Sequence, residues 1–111
     1  MHTFKLDERA RLSIEMALTG NQGDLALMRR QGEEATRLGM CGAEIDAARV
    51  GRSFDLRRAR VLQLALAAKR EEREDARRRA IQAGIDRQAC REVETIAKAH
   101  FHYVRSAARK P

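Results

Sequence analysis

The chain has 111 residues, 43% apolar and 35% charged, with one Pro, no Trp and a formal net charge of +7. That length points to one domain with a modest core, which self-association would enlarge. No apolar run approaches the roughly 20 residues of a membrane span. Residues 1–20 hold Asp7, Glu8 and Glu15 with no secretory apolar block, so a soluble, cytoplasmic, all-helical protein is expected.

Asp7 predicts an N-cap for a first helix running to about Leu18, with Ala10, Ile14, Ala17 and Leu18 on its apolar face. Gly20 and Gly23 break the pattern. A second helix is predicted from about Asp24 to Leu38 with Leu25, Met28, Ala35 and Leu38 inward, and Gly39 ends it. A short third helix covers about Ala43 to Val50, burying Ile45 and Ala48, and Gly51 and Ser53 form the joint after it. Asp55 caps a fourth helix to about Ala68. Nothing between Ala68 and Ala83 breaks a helix, so the sequence allows either a corner near Arg70–Asp75 or one helix from Asp55 to Ala83. Gly84 ends that segment and Asp86 caps the last helix. There Ala89/Cys90, Val93, Ile96/Ala97, His100/Phe101, Val104 and Ala107/Ala108 form an apolar stripe of about six turns.

The two halves repeat one another. Asp7, Arg9, Ile14 and Met16-Ala17-Leu18 answer to Asp55, Arg57, Leu62 and Leu64-Ala65-Leu66. Each stretch is followed by a helix ending on Gly, as Ala35-Thr36-Arg37-Leu38-Gly39 and Ala80-Ile81-Gln82-Ala83-Gly84. Copy one spans about 6–51 and copy two about 54–108, within a single domain over 1–111 of five or six helices. A unit this short cannot bury its apolar face alone, so the copies are expected to pack on each other.

Charge is uneven. Residues 1–50 hold seven Lys/Arg against eight Asp/Glu, a net of −1, and residues 51–111 hold sixteen against eight, a net of +8. The basic half fits either a polyanion or a solvated Arg-rich surface, and i,i+4 partners such as Glu74/Arg78 and Asp75/Arg79 favour the second. Cys41 and Cys90 make no disulfide framework and read as free thiols. Cys41 stands near the N-terminus of the third helix, where a thiolate is favoured, and Cys90 lies on the apolar stripe. His100 and His102 are two apart and cannot share a metal on a helix; no metal and no cofactor are assigned. Phosphate-loop, serine-hydrolase and zinc-protease motifs are absent from the sequence.

The order of these pieces resembles the carboxymuconolactone decarboxylase / alkylhydroperoxidase D (AhpD)-like family. The residues that carry it are Leu6-Asp7-Glu8-Arg9-Ala10-Arg11 and Glu34-Ala35-Thr36-Arg37-Leu38-Gly39-Met40 leading into Glu44-Ile45. In the second half they are Ala80-Ile81-Gln82-Ala83-Gly84-Ile85-Asp86, Glu92-Val93-Glu94-Thr95-Ile96-Ala97 and His100-Phe101-His102-Tyr103-Val104-Arg105. The resemblance implies an all-helical AhpD-like fold, a homo-oligomer (trimer or hexamer), and alkylhydroperoxidase or decarboxylase activity.

The redox members of that family carry Cys-x-x-Cys-x-x-x-His with the His eight residues before the helix-ending Gly. Counting back from Gly39 puts those positions at Asp24, Leu27 and Gln31, and none matches. The decarboxylase branch also favours a His where Gln31 stands. The family's upstream proton-relay Glu falls near Leu12, flanked by Glu8 and Glu15, and Ala76 holds the His position of the second half. The resemblance therefore implies the fold with a degenerate active site, any residual pocket lying near Asp24, Leu27, Met28 and Gln31; Cys41, by its place at the start of the third helix, is the candidate reactive thiol.

Two other functions fit the sequence. Ala35, Gly39 and Ile45 have the four-then-six spacing of a DNA-binding helix-turn-helix, although the helix that would read bases carries Glu44, Asp46 and only Arg49. Nucleic acid is on that ground the less favoured partner. The apolar stripe of the last helix also fits a protein-interaction module.

Overall fold

A computed structural model describes the backbone of residues 4–108 and the side chains up to Phe101. It holds six helices, α1 Glu8–Thr19, α2 Leu25–Arg37, α3 Gly42–Arg49, α4 Leu56–Leu66, α5 Arg70–Gln82 and α6 Arg87–Ala108, and no strand among the described residues. Four begin on aspartates. The carboxylates of Asp7, Asp24, Asp55 and Asp86 accept from the backbone N–H of Ala10, Leu27, Arg58 and Ala89, at 2.7–3.0 Å. Each satisfies a donor that helix geometry leaves unpaired. At the start of α3, the Glu44 carboxylate accepts from the Cys41 N–H at 3.0 Å. That backbone hydrogen bond holds the Glu44 carboxyl below its usual range.

The second helix of each half ends the same way. Gly39 (φ +86) and Gly84 (φ +98) take the left-handed turn. The N–H of Met40 then donates to Ala35 O at 2.9 Å, and that of Ile85 to Ala80 O at 3.0 Å. This six-to-one bond closes a Schellman turn, and the residue after the glycine, Met40 or Ile85, is buried beneath it. An arginine two residues past an N-cap reaches across to each turn. Arg9 Nε donates to Leu38 O at 2.6 Å, and Arg57 Nε donates to Ala83 O at 3.1 Å. A guanidinium on a carbonyl at the negative end of a helix is a charge-assisted bond, stronger than a neutral one.

The core has two parts that share α1. Ile14 and Leu18 face α4, α5 and α6, joining Val61, Leu62, Ile85 and Val93. Met16 faces the other way, joining Ala35, Met40, Ile45 and Ala48 of α2 and α3, with Leu12 packed alongside. Two i,i+4 pairs on different faces make α1 the wall between the halves. α4 in turn packs on α1, α5 and α6. The apolar stripe of α6 buries Ala89, Cys90, Val93 and Ala97. Its later positions, with His102 and Tyr103, lie outside the described side chains.

Three expectations change. Leu25, expected inward, is 77% exposed, because the buried face of α2 begins only at Gln31 and continues at Ala35. Residues 55–83 form two helices, and the corner lies at Ala67–Lys69, ahead of Arg70–Asp75. A continuous helix would carry Ala76 and Ala80 off the end of the core, whereas the corner returns both onto α4. Glu71 and Glu72 in the first turn of α5 suit its positive end. Of the two expected ion pairs, Asp75–Arg79 forms at 3.0 Å, while Glu74 pairs with Arg70.

Gly39→Ala should destabilise the fold by about 1–2 kcal/mol, from left-handed backbone strain and a new Cβ only 2.5 Å from Arg9 Nη2. Gly42→Ala, on a helical position with open space around it, should be neutral or stabilising by up to about 1 kcal/mol. Urea unfolding of the two variants checks the pair, and equal losses would contradict it.

Candidate functional site

The counted position of the family's His is buried. Gln31 is 4% exposed on the face of α2 that meets α1. Its amide Nε2 donates to Thr19 Oγ1 at 3.0 Å and to Glu15 Oε2 at 3.3 Å. Glu15 and Thr19 stand four apart on α1, and the Thr19 hydroxyl in turn donates to the Glu15 carbonyl at 2.8 Å. A buried amide so satisfied costs little, but it has no proton to exchange near neutral pH. Glu15, which only flanks the counted position of the relay acid, is the carboxylate that touches it. Sequence spacing alone does not single out Thr19; the signal present was its i,i+4 spacing from Glu15.

The other counted positions do not join this cluster. Asp24 is exposed, its carboxylate accepting from Leu27 N at 3.0 Å. It lies seven residues from Gln31, about 10 Å along the helix. Leu27 and Met28 are half-buried. Beside Glu15, a groove of about 540 Å³ runs between α1, the end of α2 and α6, with Leu12, Leu18 and Ile96 as its apolar lining and Glu8, Glu15 and Glu34 as its acidic one. The half-buried His100 also borders it. Glu34 is held below the usual carboxylate range by its hydrogen bond from Arg37.

Cys41 is the N-cap of α3 and exposed, whereas Cys90 is fully buried in the other part of the core. Burial pushes the Cys90 thiol up. Ala35 and Ile45 are buried on either side of the Gly39 turn, as the helix-turn-helix spacing predicts. Arg49, the one base on α3, turns back to α2, where its Nη2 donates to Met28 O at 2.9 Å. Gly32 lies beside that guanidinium, where a Cβ would be in ordinary contact with Arg49 Nη2 at 3.4 Å. The exposed residues of α3 therefore include Asp46 and no cation. Among the described residues no group of three or more His, Cys, Asp or Glu could hold a metal ion, and no helix is long and apolar enough to cross a membrane.

No protein-family model, curated protein or solved structure matches the chain.

A thiol-specific disulfide reagent at mildly alkaline pH should modify one thiol per chain quickly, Cys41, and a second only after denaturation. Two fast thiols in the native protein would place Cys90 outside the core.

Proposed function

We propose that the chain is a homo-oligomer of the AhpD-like helical type, built from two copies of one three-helix unit, whose thiol peroxidase centre has been replaced by a polar cluster of an amide, a hydroxyl and a carboxylate. The observation that carries this reading is Gln31, buried at the counted His position and hydrogen-bonded to Glu15 of the preceding helix. In the redox members a thiolate, an imidazole and an acid pass protons between them. Here an amide locks the acid in place, and the counted cysteine positions are a helix cap and an apolar side chain.

The duplication is supported by the matched arginine contacts on the two glycine turns. Assembly is supported by the exposed apolar residues around the α3–α4 link. Phe54, Val50 and Leu56 are 77%, 70% and 64% exposed on a body only 18 Å thick along its short axis. Apolar side chains gathered at one joint are a surface that a second copy would cover. By family resemblance the assembly is a trimer or a hexamer. Two free thiols fit a reducing, cytoplasmic location.

With an organic hydroperoxide and a dithiol reductant, the protein should show no turnover above the reagents alone, and a Cys41→Ser/Cys90→Ser double variant should behave identically. Turnover that the double variant abolishes would contradict a lost thiol centre. Light scattering on a sizing column should give the mass of three or six chains, and a monomer at micromolar concentration would contradict the assembly.

A further inference from the structure

The helix-turn-helix spacing of Ala35, Gly39 and Ile45 occurs a second time. Forty-five residues on stand Ala80, Gly84 and Cys90. In the structure Ala80 and Cys90 are fully buried on either side of the Gly84 turn, and Ile85 and Val93 lock the two helices against the core. The link between α5 and α6 is four residues long, the same as between α2 and α3. A small residue where the helices meet, glycine in the turn and a buried residue holding the second helix are the parts of a helix-turn-helix.

The helices leaving the two turns present different surfaces. α6 shows Arg87, Gln88, Arg91 and Thr95 to solvent over its first turns, where α3 shows Ala43 and Asp46. The acids of this part of α6 are already engaged. Glu92 pairs with Arg11 at 3.0 Å, Glu94 pairs with Arg77, and the Asp86 carboxylate caps the helix at Ala89 N. The guanidiniums of Arg87 and Arg91 make no hydrogen bond or ion pair with the described residues, and the Arg91 carbonyl accepts from the Thr95 hydroxyl at 2.8 Å. Arg87 and Arg91 line, with Arg77 and Arg78 of α5, one cleft of about 740 Å³, whose two acids, Glu74 and Glu94, pair with Arg70 and Arg77. The Asp75–Arg78 pair is exposed, and such a pair is easily exchanged for a phosphate.

We propose that α5–α6 is a DNA-docking helix-turn-helix: the first two turns of α6 enter the major groove of duplex DNA and Arg78 of α5 contacts the phosphate backbone. Arginine presents a fork matching guanine O6 and N7, and glutamine one matching adenine N6 and N7. Arg87, Gln88 and Arg91 therefore have the chemistry to read bases, while the excess positive charge of the second half supplies the sequence-independent attraction.

The test is fluorescence anisotropy of the full chain on a labelled mixed-sequence duplex of about 24 base pairs, from about 50 to 200 mM salt. An Arg87→Ala/Arg91→Ala double variant should weaken binding at least about tenfold, and Arg78→Ala should reduce the salt slope by about 1. An Arg29→Ala/Arg30→Ala double variant on α2, equally exposed, should stay within about twofold of the parent. Arg87→Lys/Arg91→Lys, which keeps charge and fold, should retain the salt slope while losing the site preferred in selection from a random duplex library. No binding at low salt overturns the proposal, as does equal loss in the α2 variant. Tighter binding to polyglutamate than to duplex also overturns it, and assigns the face to an acidic protein.

Discussion

An arginine that leaves the start of one helix to hold the end of another is the contact on which this fold turns. A glycine in the left-handed region reverses the chain sharply but exposes helix-terminal carbonyls, which need donors. Arg9 and Arg57 supply them, on Leu38 and Ala83. Each sits two residues beyond an aspartate cap, so cap and clasp belong to the same first helical turn. In this way the N-terminus of α1 fixes the exit of α2 toward α3, and the N-terminus of α4 fixes the exit of α5 toward α6. The glycine is also what lets the guanidinium approach: a Cβ at Gly39 or Gly84 would meet Arg9 Nη2 at 2.5 Å or Arg57 Nη2 at 3.3 Å.

Around this shared device the two halves differ. The α4–α6 side has a continuous core including Leu62, Ile85, Cys90 and Val93, whereas the α2–α3 side rests on Met16, Met40, Ile45 and two alanines. Polar groups pack beside the smaller core. Gln31 is buried against Glu15 and Thr19, and Arg49 spends its guanidinium on the Met28 carbonyl. In the second half the position matching Gln31 is Ala76, packed into the core. There the charged residues are pushed outward, where ion pairs with Arg11 and Arg77 neutralise Glu92 and Glu94 and leave cations facing water.

Local chemistry made much of this legible in the sequence. Aspartates and glycines act within four residues, so Asp7, Asp55, Asp86, Gly39 and Gly84 mark helix ends without knowledge of the fold. The corner at Ala67–Lys69 was not legible, because no residue there breaks a helix and the turn is imposed by the return of Ala76 and Ala80 onto α4. The outward position of Leu25 depends likewise on where α1 and α3 stop covering α2. At the site, counting from Gly39 finds Gln31, but only the packing angle of α1 on α2 selects Glu15 and Thr19 as its partners. Whether Arg87 and Arg91 are free depends on pairs reaching 81 and 17 residues away, from Glu92 to Arg11 and from Glu94 to Arg77.

Native-state hydrogen exchange by NMR on Arg9→Met and Arg57→Met variants tests the double clasp most directly. Two separate clasps predict that Arg9→Met lowers protection of the Met40 amide and of α2 while leaving Ile85 protected, and that Arg57→Met does the converse. Uniform loss across all six helices in either variant, or unchanged protection at both turns, would contradict the dependence of each half on its own arginine.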